Sequence, residues 1–234
     1  MDDIGQAFVA AIGLLLTGDG DLYQIAARSL FVTVTAIAIA SAIGLPLGAW
    51  LALRRFPGRR SVIATLNALM GLPPVVVGLT LYLLLSRSGP LGALGLLYTP
   101  WAMIVAQIVI ALPIIASIAH QVLRDLWAEY HDLLIALNAT PLQRLRTLLW
   151  DGRRALLTAV LAGFGRAVGE VGAVMIVGGN IDQVTRVLTT AIALETSRGQ
   201  FALALGLGLI LLAIALLVNL GVHGLARTER RGRW

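Results

Sequence analysis

Two residue types are missing from this chain of 234 residues, which has no cysteine and no lysine. Without cysteine, neither disulfide bonds nor thiol-ligated metals can contribute to the structure. Without lysine, a phosphate-binding loop of the GxxxxGK[ST] type cannot form, because its lysine contacts the phosphates. The three histidines are scattered without metal-ligand spacing, and no GxSxG or paired-carboxylate pattern is present. We therefore expect no enzymatic activity, no metal site and no cofactor bound by this chain.

Charge is also scarce, because charged residues make up 13% of the chain and hydrophobic residues 58%. This composition is far too apolar for a soluble domain and indicates an integral membrane protein, all-α and surrounded by lipid. The net charge of +6 comes from arginine alone. These arginines flank apolar segments and are not interleaved with aromatic residues, so we do not expect nucleic-acid binding.

Five apolar segments are long enough for the roughly 20 residues that cross a bilayer. They are 30–53, 61–86, 101–123, 155–177 and 201–226. The fourth contains Arg166 and Glu170 but is strongly apolar around them, and we treat it as one functional span. The chain, 1–234, is then a single transmembrane domain with about five helices, and its termini lie on opposite sides.

The distribution of arginine predicts which side faces the cytosol. Most of the 18 arginines follow the first, third and fifth spans, while the other side carries few arginines and more acidic residues. The positive-inside rule therefore predicts an outside N-terminus and a cytosolic C-terminus. Because Asp2 and Asp3 stand where a signal peptide is basic, we expect no cleavable signal. The apolar run 4–16 is too short to span, and we expect an outer-surface helix there, with a flexible tail as the alternative.

The longest cytosolic loop, 124–154, has the pattern of two helices joined by a turn. Apolar residues up to Leu137 follow i, i+3, i+4 spacing, which predicts that the first helix is amphipathic. Asn138 suits the end of that helix. Thr140 suits the N-cap of a second helix, 141–150, which begins with proline and has a glutamine that completes a capping box. Periodicity alone gives equal weight to a docking element and to a solvated hairpin.

This loop resembles the coupling loop of ABC-transporter permeases, the EAA loop, in its spacing. Asp132-Leu133-Leu134, Asn138 and 148–151 stand where the family pattern has EAA, a glycine and IxLP. Asp132 replaces a glutamate conservatively, and Asn138 can take the left-handed conformation that glycine supplies. The other identities differ from the pattern.

The stretch that follows, GFGRAVGEVGAVMIVGGN at 163–180, resembles the fourth span of molybdate, tungstate and sulfate permeases. In that group an arginine, a GE(F/V)GA block and a terminal GN recur at this distance from the loop. Together with GLPPVVVG at 71–78, SRSGP at 86–90 and TRVLTTAIALE at 185–195, it looks most like the tungstate-type permeases. The resemblance covers roughly 22–219.

The resemblance implies a type I ABC importer permease fold in the inner membrane. It also implies a homodimer, two separate ATPase subunits that bind ATP and Mg²⁺, and an extracytoplasmic binding protein that delivers an oxyanion, tungstate first and molybdate next. The residues that match the ATPase-coupling loop are Glu129, Asp132, Leu133, Leu134, Ala136, Leu137, Asn138, Ala139, Thr140 and Pro141.

Physical arguments assign roles within the fourth span. Arg166 and Glu170 are i, i+4 neighbours on one helix face, so they can neutralise each other and should face inward. A structural pair and a direct part in anion passage have equal weight. Gly165 and Gly169 form a GxxxG spacing, with Gly163 and Gly172 nearby, which predicts close packing at a dimer interface or against a sliding helix.

An extracellular gate is the interpretation for the end of that span, because its glycines supply flexible backbone and 185–194 is apolar enough to re-enter the outer leaflet. An ordinary outer loop is the alternative. The pathway and gate candidates are Arg166, Gly169, Glu170, Gly172, Gly178, Gly179, Asn180, Thr189 and Thr190.

Prolines should kink two of the spans: Pro73 and Pro74 the second, and Pro113 the third.

A different class of function also remains open. Glu170 could carry protons in an ion- or proton-coupled carrier that uses its pair with Arg166. The cytosolic hairpin argues against this alternative, since such a carrier needs no docking loop.

Overall fold

This computed structural model describes Gly13 and residues 20–228, with the backbone alone for 223–228. The expected surface helix at 4–16 therefore lies outside the described residues, apart from Gly13. The described residues form eight α-helices, one 3₁₀ turn (Gly92–Leu94) and no strands, so the all-α prediction is confirmed. The helices are α1 (Gly20–Leu53), α2 (Arg59–Leu69), α3 (Pro74–Leu85), α4 (Pro100–Ala136), α5 (Pro141–Val168), α6 (Gly172–Gly178), α7 (Leu188–Ser197) and α8 (Phe201–Thr228).

Three of these helices are long and apolar enough to cross a bilayer alone. They are α1 with 34 residues, α4 with 37 residues, and 22 residues of α8 over Phe201–Val222. Two interrupted pairs, α2 with α3 and α5 with α6, pass the same test only when each pair is taken as one span. The described part of the chain thus has three uninterrupted candidate spans, or five with the two interrupted pairs.

The second predicted span is broken where we expected a kink. Helix α2 ends at Leu69, and α3 begins at Pro74. Proline lacks the N–H that an α-helix needs and disfavours helical geometry in the residue before it, so consecutive prolines at 73 and 74 separate the two helices. Pro113 behaves differently, since it lies inside α4 and the helix continues through it.

The fourth predicted span is also interrupted. Helix α5 ends at Val168, and α6 begins at Gly172. Arg166 lies in the last turn of α5, while Glu170 lies in the break. The two residues are therefore not on one continuous helix face, and that part of our interpretation was wrong. Glycine at 169 favours the break, because glycine loses more conformational entropy in a helix than other residues.

The predicted hairpin at 124–154 is present, but its two arms are the ends of longer helices. The first arm is the last part of α4, which runs without interruption from the third span to Ala136. The second arm is the first part of α5, which continues to Val168 instead of ending near Trp150. Residues 114–136 include neither glycine nor proline, so nothing in the sequence interrupts the helix there.

The chain forms two compact units, each with its own apolar core. The first unit comprises residues up to Thr35, Pro74–Gln107 and the chain from Val168 onward, and the second comprises Ala36–Pro73 and Ile108–Ala167. In the first, buried side chains of α1, α7 and α8 pack together: Leu22, Leu188, Ala191, Leu207 and Ile210. In the second, α1, α4 and α5 share a core of Ala49, Ala52, Ala119, Leu123, Leu148 and Leu156.

Candidate coupling and gate sites

The turn between α4 and α5 has the geometry that the sequence predicts. Asn138 is left-handed, with φ of 50°. The N–H of Ala139 donates to the carbonyl of Leu134 at 3.0 Å and so satisfies a carbonyl at the end of α4. The N–H of Thr140 donates to Gln143 Oε1 at 2.7 Å, and the N–H of Gln143 donates to Thr140 Oγ1 at 3.4 Å. The predicted capping box is confirmed.

Arg144 ties this turn to the preceding helix. Its Nε donates to the carbonyl of Ala139 at 2.8 Å, and its guanidinium lies 5.9 Å from the centroid of the Trp127 ring. That distance is within the range of a cation–π interaction. His131 meets the same ring edge-on at 4.9 Å. The end of the hairpin is therefore held by polar and aromatic contacts from both arms.

Four apolar side chains around this turn are exposed, and we call them the apolar tip: Leu133, Ile135, Leu137 and Leu142. Their exposed fractions are 57%, 45%, 68% and 75%. Leu133 and Leu137 belong to the apolar face of the predicted amphipathic helix, and the structure leaves both exposed, because the hairpin extends beyond the core that would cover them. All four lie close to the turn in sequence, which makes this end of the hairpin a candidate interaction surface.

The remaining coupling residues divide by exposure. Leu134 is 6% exposed and belongs to the interior, and Ala139 is half-buried. The others are exposed: Glu129, Asp132, Ala136, Asn138, Thr140 and Pro141. In the described residues, no group of three or more histidines or acidic residues is placed to hold a metal ion.

The second candidate site is the end of α6 and the loop that follows it, all in the first unit. Gly179 and Asn180 are both left-handed, with φ of 73° and 49°. The fully buried Thr185 closes this loop, because its hydroxyl donates to the carbonyl of Gly178 at 2.5 Å and accepts the N–H of Ile181 at 2.9 Å. The sequence offered no local signal for Thr185, since its partners are identified only when the loop folds back.

Tyr98 packs on the same loop. Its N–H donates to the carbonyl of Val177 at 2.9 Å, and a Cβ added at Gly179 would lie 2.8 Å from its ring atom Cδ1. Its side-chain hydrogen bond with Tyr82 raises the pKa of Tyr98 above its ordinary value. No local pattern in the sequence indicates these contacts of Tyr98, because Val177 and Gly179 lie far along the chain.

Helix α7 begins inside the first unit. Its residues Thr189 and Thr190 are buried, and both hydroxyls bond to backbone. The Thr189 hydroxyl donates to the carbonyl of Glu170 at 3.1 Å, and the Thr190 hydroxyl bonds to backbone atoms of Val187. The carboxylate of Glu170, which is 5% exposed, accepts the N–H of Ala173 at 3.1 Å at the start of α6. Glu170 thus satisfies a helix-terminal donor that otherwise has no partner in its own helix.

Arg28 of α1 fastens the loop before α7. Its Nη1 donates to the carbonyl of Arg186 at 3.0 Å, and its Nη2 donates to the carbonyl of Gln183 at 2.7 Å. The neighbouring Ser29 accepts the N–H of Leu188 at 2.7 Å. No local pattern in the sequence indicates this role of Arg28, because its partners lie far along the chain.

Glycines bring α3 and α6 into backbone contact. A Cβ added at Gly78 would lie 2.7 Å from Ala173 Cα, and one added at Gly172 would lie 2.9 Å from Val75 Cγ2. The neighbour of Gly172 is thus a side chain of the same chain. At Gly165 and Gly169, by contrast, an added Cβ would meet no described atom of this chain within 4 Å.

Comparisons with known proteins identify the family of this chain. Residues 44–231 match the family model described as "Binding-protein-dependent transport system inner membrane component". The chain is 40% identical over 225 residues to the tungstate uptake system permease protein TupB of Peptoclostridium acidaminophilum, covering 96% of this chain and 99% of that protein.

Two further relatives are similar over nearly their whole length. The probable anion ABC transporter permease protein of Haloferax volcanii is 42% identical over 91% of this chain and 94% of its own. The tungstate uptake system permease protein TupB of Campylobacter jejuni is 37% identical over 97% of this chain and 95% of its own. This chain therefore belongs to the family of inner membrane components of binding-protein-dependent transport systems, the multi-pass permease subunits of ABC transporters.

Proposed function

We propose that this chain is the transmembrane subunit of an ATP-driven oxyanion importer that carries tungstate first and molybdate next. Two copies form the pathway as a homodimer, two ABC ATPase subunits bind ATP and Mg²⁺, and an extracytoplasmic binding protein delivers the anion. The names of the relatives from P. acidaminophilum and C. jejuni support tungstate. The observation that carries the proposal is the apolar tip, an exposed apolar surface on a well-fastened turn.

The proposed topology has five spans, with the two interrupted helix pairs counted as one span each. The N-terminus lies outside and the C-terminus in the cytosol, because most arginines then lie on the cytosolic side. This orientation places the apolar tip in the cytosol, where an ATPase subunit can bind it. It places the loop between α6 and α7, residues 179–187, outside, and we call this segment the gate loop.

The two long helices explain how force reaches the pathway. Both α4 and α5 run from the tip into their spans without a break at the base of the hairpin. When ATP binding closes the ATPase subunits, displacement of the tip tilts α4 and α5 as rods. That tilt switches the pathway from inward-facing to outward-facing, so that the anion is released into it.

The gate is formed by the loop after α6 and the start of α7. Helix α7 has 10 residues and rises about 15 Å, too little to span a bilayer but enough to re-enter one leaflet. The hydroxyls of Thr189 and Thr190 already donate hydrogen bonds to backbone carbonyls. They therefore stabilise the conformation of the gate and do not form a tight anion site. Weak binding suits release, and selectivity then resides in the external binding protein.

The carrier alternative is not favoured by the surroundings of Glu170. A proton carrier must exchange its proton along the pathway, whereas this carboxylate is buried and accepts the N–H of Ala173. Liposomes that contain this chain alone distinguish the two classes. Uptake driven by a pH gradient without ATPase subunits would support the carrier, and uptake that requires ATP and the ATPase supports the importer.

The docking proposal is tested by placing a charge on the apolar tip. Leu137→Glu is expected to reduce ATP-driven uptake and co-isolation of the ATPase subunit by about tenfold or more, because a desolvated carboxylate is costly in an apolar interface. Membrane insertion should be unchanged, since the side chain is 68% exposed. Leu134 is a poor position for this test, because it is buried and a charge there would also disturb the fold.

Leu94→Glu is the matched control, because Leu94 is 59% exposed and lies in the loop between α3 and α4, which the proposed topology places outside. This control should co-isolate with the ATPase as the native chain does. Normal co-isolation and normal uptake by Leu137→Glu would disprove docking at the tip.

A further inference from the structure

A large apolar groove lies beside the hairpin, within the second unit. Its volume is about 810 Å³, and it is lined by the last turns of α1, the first turns of α5 and Trp127 of α4. The volume falls in the range of roughly 300–1,000 Å³ that small-molecule sites occupy. The lining includes six aliphatic side chains: Leu45, Ala49, Leu53, Leu142, Leu145 and Leu149.

The charges on the groove are all positive. Arg54 and Arg144 line it, and none of the described residues that line it is acidic. Within the described chain, the exposed side chain of Arg54 makes no hydrogen bond or ion pair. Of the Arg144 guanidinium, which also faces the Trp127 ring, only Nε donates a hydrogen bond there, to the carbonyl of Ala139. A guanidinium with unused N–H groups matches the oxygens of a phosphate, to which it can donate two parallel hydrogen bonds.

The dimensions of the groove match one leaflet of a bilayer. The α1 wall, 41–54, rises about 20 Å, while the hydrocarbon of one leaflet is about 15 Å thick, half of the full core. Trp50, near the charged end of this wall, is 47% exposed and stacks on Phe56 with ring centroids 4.4 Å apart. Tryptophan in this position is typical of the level of the lipid headgroups.

We propose that this groove binds one anionic phospholipid. An acyl chain lies along the α1 wall against Leu145 and Leu149 of α5, and Arg54 and Arg144 hold the phosphate. A zwitterionic lipid offers the same phosphate but adds a positive group, so it binds less well beside two arginines. The bound lipid joins α1 to the start of α5. This site needs only that α1 crosses the bilayer, and it goes beyond the proposed transport function.

Lipid retention by the purified transporter tests the proposal. The complete complex is titrated with phosphatidylglycerol or phosphatidylcholine in detergent, and the retained lipid is counted by native mass spectrometry. The native chain should retain one phosphatidylglycerol per copy in preference to phosphatidylcholine. Arg54→Gln should weaken phosphatidylglycerol retention about fivefold, as expected for one arginine near a lipid surface.

Arg55→Gln is the matched control, because Arg55 is exposed and adjacent but does not line the groove. It should retain phosphatidylglycerol as the native chain does. Ala42→Phe is a second variant, which changes no charge. Ala42 is exposed and lines the groove at the end of the α1 wall away from Arg54, so a phenylalanine there fills the groove and should also reduce phosphatidylglycerol retention.

Three outcomes would overturn the proposal. Equal losses in Arg54→Gln and Arg55→Gln would indicate general surface charge, and equal retention of both lipids by the native chain would indicate no anionic site. Retention by the isolated chain but not by the assembled complex would show that a partner subunit covers the groove. The readout is binding and not uptake, so failure of the transport proposal gives a different result from failure of this one.

Discussion

Gly78 sets the distance between α3 and α6 by lacking a Cβ. An added Cβ would lie 2.7 Å from Ala173 Cα and 3.2 Å from Ile176 Cδ1. Ala173 Cα belongs to the backbone and cannot rotate away as the end of a side chain can. Any larger residue at 78 therefore has to push the two helices apart.

Gly78→Ala is expected to lower the free energy of unfolding by about 1–3 kcal/mol, the usual cost of overpacking. Gly208→Ala in α8 is its control, because an added Cβ there meets nothing within 4 Å. That control should be neutral or more stable by up to about 1 kcal/mol, since alanine favours a helix. Thermal unfolding of the purified variants measures both. Equal unfolding temperatures for the two would contradict the close helix contact.

Thr185 holds the gate loop through one hydroxyl. Thr185→Val keeps the shape of the side chain but leaves the carbonyl of Gly178 and the N–H of Ile181 without their partner. We expect a loss of about 1–3 kcal/mol of local stability, the cost of leaving buried polar groups unsatisfied. Hydrogen exchange of the amides in 178–186 should become faster.

Thr196→Val is the control for this change, because the Thr196 hydroxyl bonds within its own exposed helix turn. Exchange in 178–186 should then match the native chain. If Thr185→Val also leaves exchange unchanged, the Thr185 hydroxyl does not hold the gate loop.

At the scale of elements, the turn between the hairpin arms depends on a left-handed residue. Asn138 has φ of 50°, a conformation that β-branched residues rarely adopt. Asn138→Val should therefore destabilise the turn by about 1–2 kcal/mol and speed amide exchange in the first turn of α5. Asn138→Gly supplies the same conformation and should leave exchange and ATPase co-isolation near native values. Equal behaviour of the two variants would mean that the conformation at 138 is unimportant.

Local sequence signals predicted the turn but not the lengths of its helices. Asn138, Thr140 and Gln143 interact within a few residues, so their roles could be inferred from spacing alone. Charge in 124–154 suggested a loop with separate helices, yet α4 and α5 each continue into their spans. A helix needs no change of backbone to pass from water into lipid, so the change in composition does not mark a helix end. The breaks in the second and fourth spans arise from proline and glycine, which apolarity did not reveal.

At the scale of the whole molecule, the missing cysteines make the topology directly testable. Single cysteines at Leu137 on the apolar tip and at Val184 in the gate loop, both exposed in the structure, would be the only reactive thiols. A membrane-impermeant maleimide added to intact spheroplasts should label Val184→Cys and spare Leu137→Cys. After permeabilisation of spheroplasts that produce this chain without its ATPase subunits, so that nothing covers the apolar tip, both should react. The reverse pattern in intact spheroplasts would overturn the proposed orientation.

The sequence by itself determined that the chain is an all-helical membrane protein, where its apolar segments lie, and how the hairpin turns. Each of these follows from composition or from residues close together in the chain. Only the tertiary structure decided that Arg28 holds the loop at 183–186, that Gly78 meets Ala173, and that Leu133 and Leu137 are exposed. These features depend on segments far apart in sequence, and local periodicity carries no information about which distant backbone will lie beside a given residue.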